Sequence, residues 1–200
     1  LYHPLTSFAT TPPGGGPGAV FSFDKDRLIC YDGAIHKERS RIMRHVTYGK
    51  CVRCGRTYEA VPDLTVCECG GILDITYDYD YIKSRLTKET LANRAERSMW
   101  RYRELLPIEE DTAPTPLRVG WSPLYEEPRL AEALGLGRLF VKDDGQNPTA
   151  SLKDRASAMA VAKAREAGAG VIACSSTGNA ASSLAGNAAA AGLETYIFVP

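Results

Sequence analysis

From Arg138 onward, short apolar runs alternate with longer stretches of helical period. "RLFVKDD" (138–144), "GVIACSST" (170–177) and "ETYIFVP" (194–200) predict strands. Between them, "NPTASLKDRASAMAVAKAREAG" predicts a turn and a helix ending at Gly168, and "GNAASSLAGNAAAAG" an alanine-rich helix ending at Gly192. Strands alternating with helices predict an α/β architecture, a parallel sheet with helices on both faces. Ligands in such sheets gather at the carboxyl ends of the strands. The two strand-to-helix loops, 147–153 and 175–179, should therefore open on one side.

The first half lacks this rhythm. Residues 1–45 read as a flexible lead: "TTPPGGGPG" is too rich in Pro and Gly to build a core, and 21–45 fit a short helix or plain linker. Residues 46–78 hold two β-like runs, "TYGKCVRCGRTYEAV" and "LTVCECGGILDITYD", each with a cysteine pair and glycine. From 79 to 106 the chain reads as helical, stopped by Pro107, with a broken apolar stripe of Ile82, Leu86, Leu91, Met99, Tyr102, Leu105 and Leu106. "TAPTPLRVGWSPLYEEPRL" is extended, and "EPRLAEALG" is a short helix closed at Gly135. Three segments result: 1–45, a ribbon-like 46–78 with its cysteine pairs, and 79–200 as the first part of a larger domain.

Composition narrows the function classes. The 200 residues are 44% apolar, enough for a core. Lys plus Arg equals Asp plus Glu at 24 each, which gives no polyanion-binding surface and argues against nucleic acid. No apolar run nears the roughly 20 residues that span a bilayer, so no membrane is expected. The chain opens on Leu1 and stops inside an expected strand, which reads as a fragment of a longer protein.

Four of the six cysteines, Cys51, Cys54, Cys67 and Cys69, fall within nineteen positions as Cys-x2-Cys, twelve residues, Cys-x-Cys. Two such knuckles can offer four thiolates to one zinc. The second pair is one residue shorter than a usual knuckle. A metal-free ribbon and an intramolecular disulfide remain alternatives. Metal ligation in a reducing cytoplasm fits this density better than a secreted disulfide scaffold does.

Lys153 opens a helix, where the positive end of the dipole disfavours an ammonium and favours the neutral amine of a Schiff-base lysine. Asp154 and Arg155 read as structural. Ser175, Ser176, Thr177, Gly178 and Asn179 meet the next helix N-terminus, suited to a carboxylate or phosphate, or else an ordinary cap. Cys174 reads as a small buried apolar group, and Trp100 and Tyr102 as packing aromatics. His3, His36 and His45 show no ligand spacing, and Cys30 has no reading.

"NPTASLKDR" resembles the lysine motif of fold-type II pyridoxal-phosphate enzymes, whose common form has Gly where Ala150 stands and Phe where Leu152 stands. "SSTGNAA" is similar to their substrate-carboxylate loop. "SMWRYRELLP", "VGWSPLY", "FVKDDGQNPTASLKDRAS" and "STGNAASSLAG" resemble threonine synthases, over about residues 46–200, and the cysteine ribbon resembles an N-terminal feature of some of them. The resemblance implies the fold-type II architecture of parallel strand–helix units behind a small β ribbon. It implies pyridoxal phosphate held by Lys153 as a Schiff base, with Lys153 then moving protons. Asn179 would bond the cofactor's phenolic oxygen, while Ser176, Thr177 and Gly178 would hold the substrate carboxylate. Asn147 and Ser151 would shape the lysine turn. The implied reaction takes O-phospho-L-homoserine and water to L-threonine and phosphate, in a cytoplasmic homodimer. The family's glycine-rich phosphate loop, and the Ser or Thr facing the pyridine nitrogen, would follow residue 200, so this piece alone is expected to be inactive.

Two rival readings are kept. One is a sister enzyme on the same scaffold: cysteate synthase, threonine or serine dehydratase, or another β-replacement enzyme. The other is a zinc ribbon binding nucleic acid through Lys50, Arg53 and Arg56, but Glu59, Asp63, Glu68, Asp74 and Asp78 offset that charge.

Overall fold

A computed structural model describes residues 19–24, 27–32, 43–61 and 64–199. It falls into two compact units, one of residues 1–37 and 115–200 and one of 38–114. Each is described by itself.

In the first unit, β1 (Ala19–Asp24) and β2 (Arg27–Asp32) form an antiparallel hairpin, Ala19 opposite Asp32 and Asp24 opposite Arg27. This corrects the expectation of loop, short helix or linker for these residues. Two short apolar-rich runs, "AVFSFD" and "RLICYD", two residues apart in the sequence, carry the hairpin signal that the mixed composition hid. The expectation of a loop for 1–18, and of helix or linker for 33–42, lies outside the described residues.

The second unit is built on β3 (Val46–Cys51), flanked by β4 (Thr57–Tyr58) and β5 (Leu73–Tyr77), all antiparallel. An isolated bridge pairs Val66 with Ile72. The 79–106 stretch is not one helix. It is α1 (Tyr79–Arg85), α2 (Lys88–Asn93) and a 3-10 segment, Met99–Leu105. Each restarts at its own cap. Asp78 accepts from the Asp80 and Tyr81 amides, Thr87 and Thr90 form a reciprocal capping box, and Ser98 accepts from the Trp100 amide. The breaks in the apolar stripe fall between these pieces. Trp100 is buried as expected, whereas Tyr102 is 41% exposed.

Residues 115–199 carry the α/β part. Here β6 (Leu124–Glu126) is followed by α3 (Pro128–Ala133), with Pro128 at the first turn where a missing amide costs nothing. Strand β7 (Phe140–Lys142) pairs antiparallel with β6, as a two-stranded sheet of its own. This corrects the expectation that 138–144 joins the parallel sheet. At three residues, β7 finds its partner in the extended segment just before it, which the sequence showed only as Pro-punctuated. The parallel pairing is between β8 (Val171–Ser175) and β9 (Glu194–Phe198), joined through α5 (Asn179–Ala190). Helix α4 (Lys153–Glu166) precedes β8 and packs on α5.

The core lies at that junction. Val161, Ala164, Ile172, Leu184 and Ala188 are buried together, with Cys174 and Leu193 packed on them. Burying a side chain such as Val161, Ile172 or Leu184 stabilises by about 1.5–3 kcal/mol. Helix α4 buries Asp154, Ser157, Ala158, Val161 and Ala162, a three-to-four spacing that marks one face. Alanine and serine together make up most of what each helix buries. Among the described residues, no helix is long and apolar enough to cross a membrane.

Candidate functional site

The lysine turn is held from both sides. Residues 144–146 form a single 3-10 turn, after which Asn147 is buried. Asn147 accepts from the Gly120 amide at 2.9 Å and donates to the Asp144 carbonyl at 2.8 Å. Ser151, also buried, accepts the Lys153 amide at 3.1 Å. Ala150 between them sits at φ 56°, in the left-handed region. Helix α4 starts at Lys153, whose side chain is exposed, and among the described residues no carboxylate pairs with it. Leu152, beside it, is 60% exposed.

A second set of contacts ties the 119–123 loop to this turn. Arg155 donates to Asp144 through Nε at 2.9 Å and Nη2 at 2.8 Å, a bidentate pair. Ser122 donates to Asp144 at 2.5 Å, Lys142 donates to the Ser122 carbonyl, and the Asp143 amide bonds the Pro123 carbonyl at 3.0 Å. The Arg155 guanidinium, then the Ser122 hydroxyl, hold the Asp144 carboxyl far below the usual carboxylate range. Gly120 and Trp121 are both left-handed within this loop, φ 83° and 54°.

The second loop follows β8. The Ser176 amide bonds the Phe198 carbonyl at 3.1 Å and its hydroxyl accepts the Gly178 amide at 3.2 Å. Helix α5 has no side-chain cap of its own. Thr177, Gly178 and Asn179 are exposed. Burial pushes the neighbouring Cys174 thiol up.

Among the described residues, no hydrogen bond joins Lys153 directly to residues 176–179. The link runs deeper. Asp154, fully buried, accepts from the Thr149 amide and hydroxyl at 2.7 Å each, from Ser183 at 2.6 Å and from Asn187 at 3.0 Å. Thr149 also packs on Gly186, where an added Cβ would stand 2.9 Å from its methyl group. Thr149, Ser183 and Asn187 escaped the sequence reading, as did Ser122 and Asp144. One signal was available: polar residues at helical spacing, 154–157 and 183–187, on the faces of alanine-rich helices.

In the other unit, Cys51, Cys54, Cys67 and Cys69 converge, with all four sulfurs within 4.8 Å of one another. Cys51 and Cys69 lie 3.5 Å apart, Cys54 and Cys67 3.6 Å. All four are free thiols. A tetrahedral zinc with bonds of about 2.3 Å sets its sulfurs about 3.8 Å apart, so the donor set fits that metal in type and spacing. Gly71 is required for the approach, since a Cβ there would stand 2.6 Å from the Cys51 sulfur. Cys51 is drawn down first by the Cys54 amide. The Tyr58 hydroxyl, 3.1 Å from Cys67, and the Cys69 amide hold the Cys67 thiol down to about 6. Cys69 goes to about 12: the Gly71 amide lowers it, but the Cys54, Cys51 and Cys67 thiols outweigh that. Crowded thiols cannot all ionise without a cation among them.

Comparison with known proteins bears on the first of these sites. Residues 115–200 match the family described as "Pyridoxal-phosphate dependent enzyme". The chain is 41% identical over 151 residues to a threonine synthase of Methanocaldococcus jannaschii, covering 76% of this chain and 37% of that protein. It is 41% identical over 152 residues to one of Methanosarcina acetivorans (76% and 36%), and 44% identical over 100 residues to one of Synechocystis sp. (50% and 26%). The chain thus spans little more than a third of the length of the first two relatives.

Proposed function

We propose, from the premise that residues 115–200 belong to the pyridoxal-phosphate dependent enzymes, that the protein carrying this chain is a threonine synthase. It would convert O-phospho-L-homoserine and water to L-threonine and phosphate. The observation that carries this reading is the exposed Lys153 at the start of α4, on a turn fixed by Asn147 and Ser151. Relatives over 76% of the chain bear the name threonine synthase.

Lys153 would hold the cofactor, and Asn179 would meet its ring oxygen. Pyridoxal phosphate, when bound, supplies an electron sink for bonds broken at the substrate's α-carbon. The chain's own residues do the rest. Ser176, Thr177 and Gly178 would take the substrate carboxylate at the uncapped N-terminus of α5, where amides and dipole favour an anion. The Lys153 amine, released beside the substrate, would move protons at its α- and β-carbons. Cys51, Cys54, Cys67 and Cys69 would hold a structural zinc. Free thiols of this density fit a cytoplasmic enzyme, and we place a homodimer there, with neither nucleic acid nor membrane as partner.

The test is the protein expressed from the complete reading frame, supplied with pyridoxal phosphate and O-phosphohomoserine. Threonine and phosphate should appear in equal amounts and vanish in Lys153→Ala. Cofactor fixed to Lys153 with no threonine formed would move the function to a sister enzyme of the same scaffold, and O-phosphoserine with sulfite would then be tried.

A further inference from the structure

We infer that Asp154 is a positioning residue that sets Lys153 against the loop at the head of α5, an inference that rests on the function proposed above. Its carboxylate is fully buried, and its hydrogen-bond donors among the described residues are all neutral. Such a group is costly to desolvate, and apolar packing commonly holds two helices together at least as well. The surrounding network is not economical either. Asn187 donates to both Asp154 and the Ser183 carbonyl, yet its buried Oδ1 has no donor among the described residues. What the charge provides is direction. Two short bonds come from Thr149 in the lysine turn, and two from Ser183 and Asn187 on consecutive turns of α5.

Asp154 follows Lys153 directly, so fixing its carboxylate fixes the peptide that carries the lysine. Ser183 and Asn187 lie four and eight residues into α5 from Asn179, about 6 and 12 Å along the helix. The carboxylate therefore fixes the height of α5, and with it Asn179, relative to Lys153. Ser157 and Ser183 stand 2.8 Å apart. A hydroxyl has one proton, and the carboxylate can only accept the Ser183 proton, so Ser157 donates to Ser183. That orients the Ser183 bond from behind.

The experiment compares wild type, Asp154→Asn and Ser183→Ala, each made in the complete protein with pyridoxal phosphate. Borohydride reduction and mass analysis read cofactor on Lys153, visible absorbance reads the bound ring's surroundings, and steady-state kinetics separates kcat from KM. The expected result is cofactor fixed to Lys153 in all three, with a shifted absorbance band in the variants. Asp154→Asn should lose kcat by roughly a hundredfold, the scale of a misplacement near 1 Å, with KM little changed. Ser183→Ala should move both readouts the same way by less, and it carries the test alone if Asp154→Asn does not fold. Folded variants with wild-type absorbance and kcat, or with lowered thermal stability as the one change, overturn the inference. A wild type that fixes no cofactor on Lys153 overturns the function reading and this inference with it, a failure visible before any variant is made.

Discussion

Ala150 holds its backbone at φ 56°, where an L side chain crowds its own carbonyl by about 1–2 kcal/mol. The turn imposes this, because Asn147 and Ser151 on either side are buried and bonded. Ala150→Gly removes the crowding but gains unfolded-state freedom, so a net stabilisation of about 0.5–1 kcal/mol is expected. Urea unfolding of the pair measures it, and an unchanged or lowered midpoint refutes it. Asp144 makes a second residue-scale prediction. Its folded-state carboxyl lies well below the ordinary value through Arg155 first and Ser122 second. A depressed acid contributes its stability in full above the unfolded value, near 3.9, and loses it as pH falls below that. Stability should therefore drop more steeply below about pH 4 in wild type than in Asp144→Asn. Parallel pH profiles would count against the Arg155–Asp144 pair. Lys153, Ser176, Thr177, Gly178 and Asn179 were nameable from the sequence because each stands in a local motif. Asp144 was not, and Asp154 reads there only as structural, because Ser122, Ser183 and Asn187 stand 22 to 33 residues from the carboxylates they bond.

Helix α5 meets the lysine turn closely at Gly186. A methyl group there would raise helix propensity by about 1 kcal/mol yet press to 2.9 Å on the Thr149 methyl. Threonine is short and doubly bonded to Asp154, so it cannot swing aside. Gly186→Ala should destabilise, by about 1–3 kcal/mol as overpacking does. A rise in midpoint would show that the lysine turn and α5 separate freely. At this scale the sequence marked α4, α5, β8 and β9 well, since each has its own pattern and the two helices have closing glycines, Gly168 and Gly192. It failed for 79–106, where helical residues are common but caps at Asp78, Thr87 and Ser98 cut the run into short pieces. It also failed for β7, whose pairing with β6 depends on a partner that no periodicity announced.

Taken whole, the chain has two units with different means of support. Residues 115–199 have a helix–sheet core, whereas the three-stranded sheet of 46–77 converges on four sulfurs. Zinc content of about one per chain is expected, and a strong chelator should release it and strip amide-exchange protection from β3 and β5. Protection that survives removal of the metal would instead support a metal-free ribbon. The sequence by itself determined the α/β alternation of the second half, the cysteine spacing and the family motif around Lys153. Those are properties of neighbours along the chain, set by period, cap and spacing. Tertiary structure alone decided that four thiols converge, that β7 turns back on β6, and that a buried Asp154 joins the lysine turn to α5. Burial and long-range hydrogen bonds arise only when distant segments pack, so no local pattern encodes them.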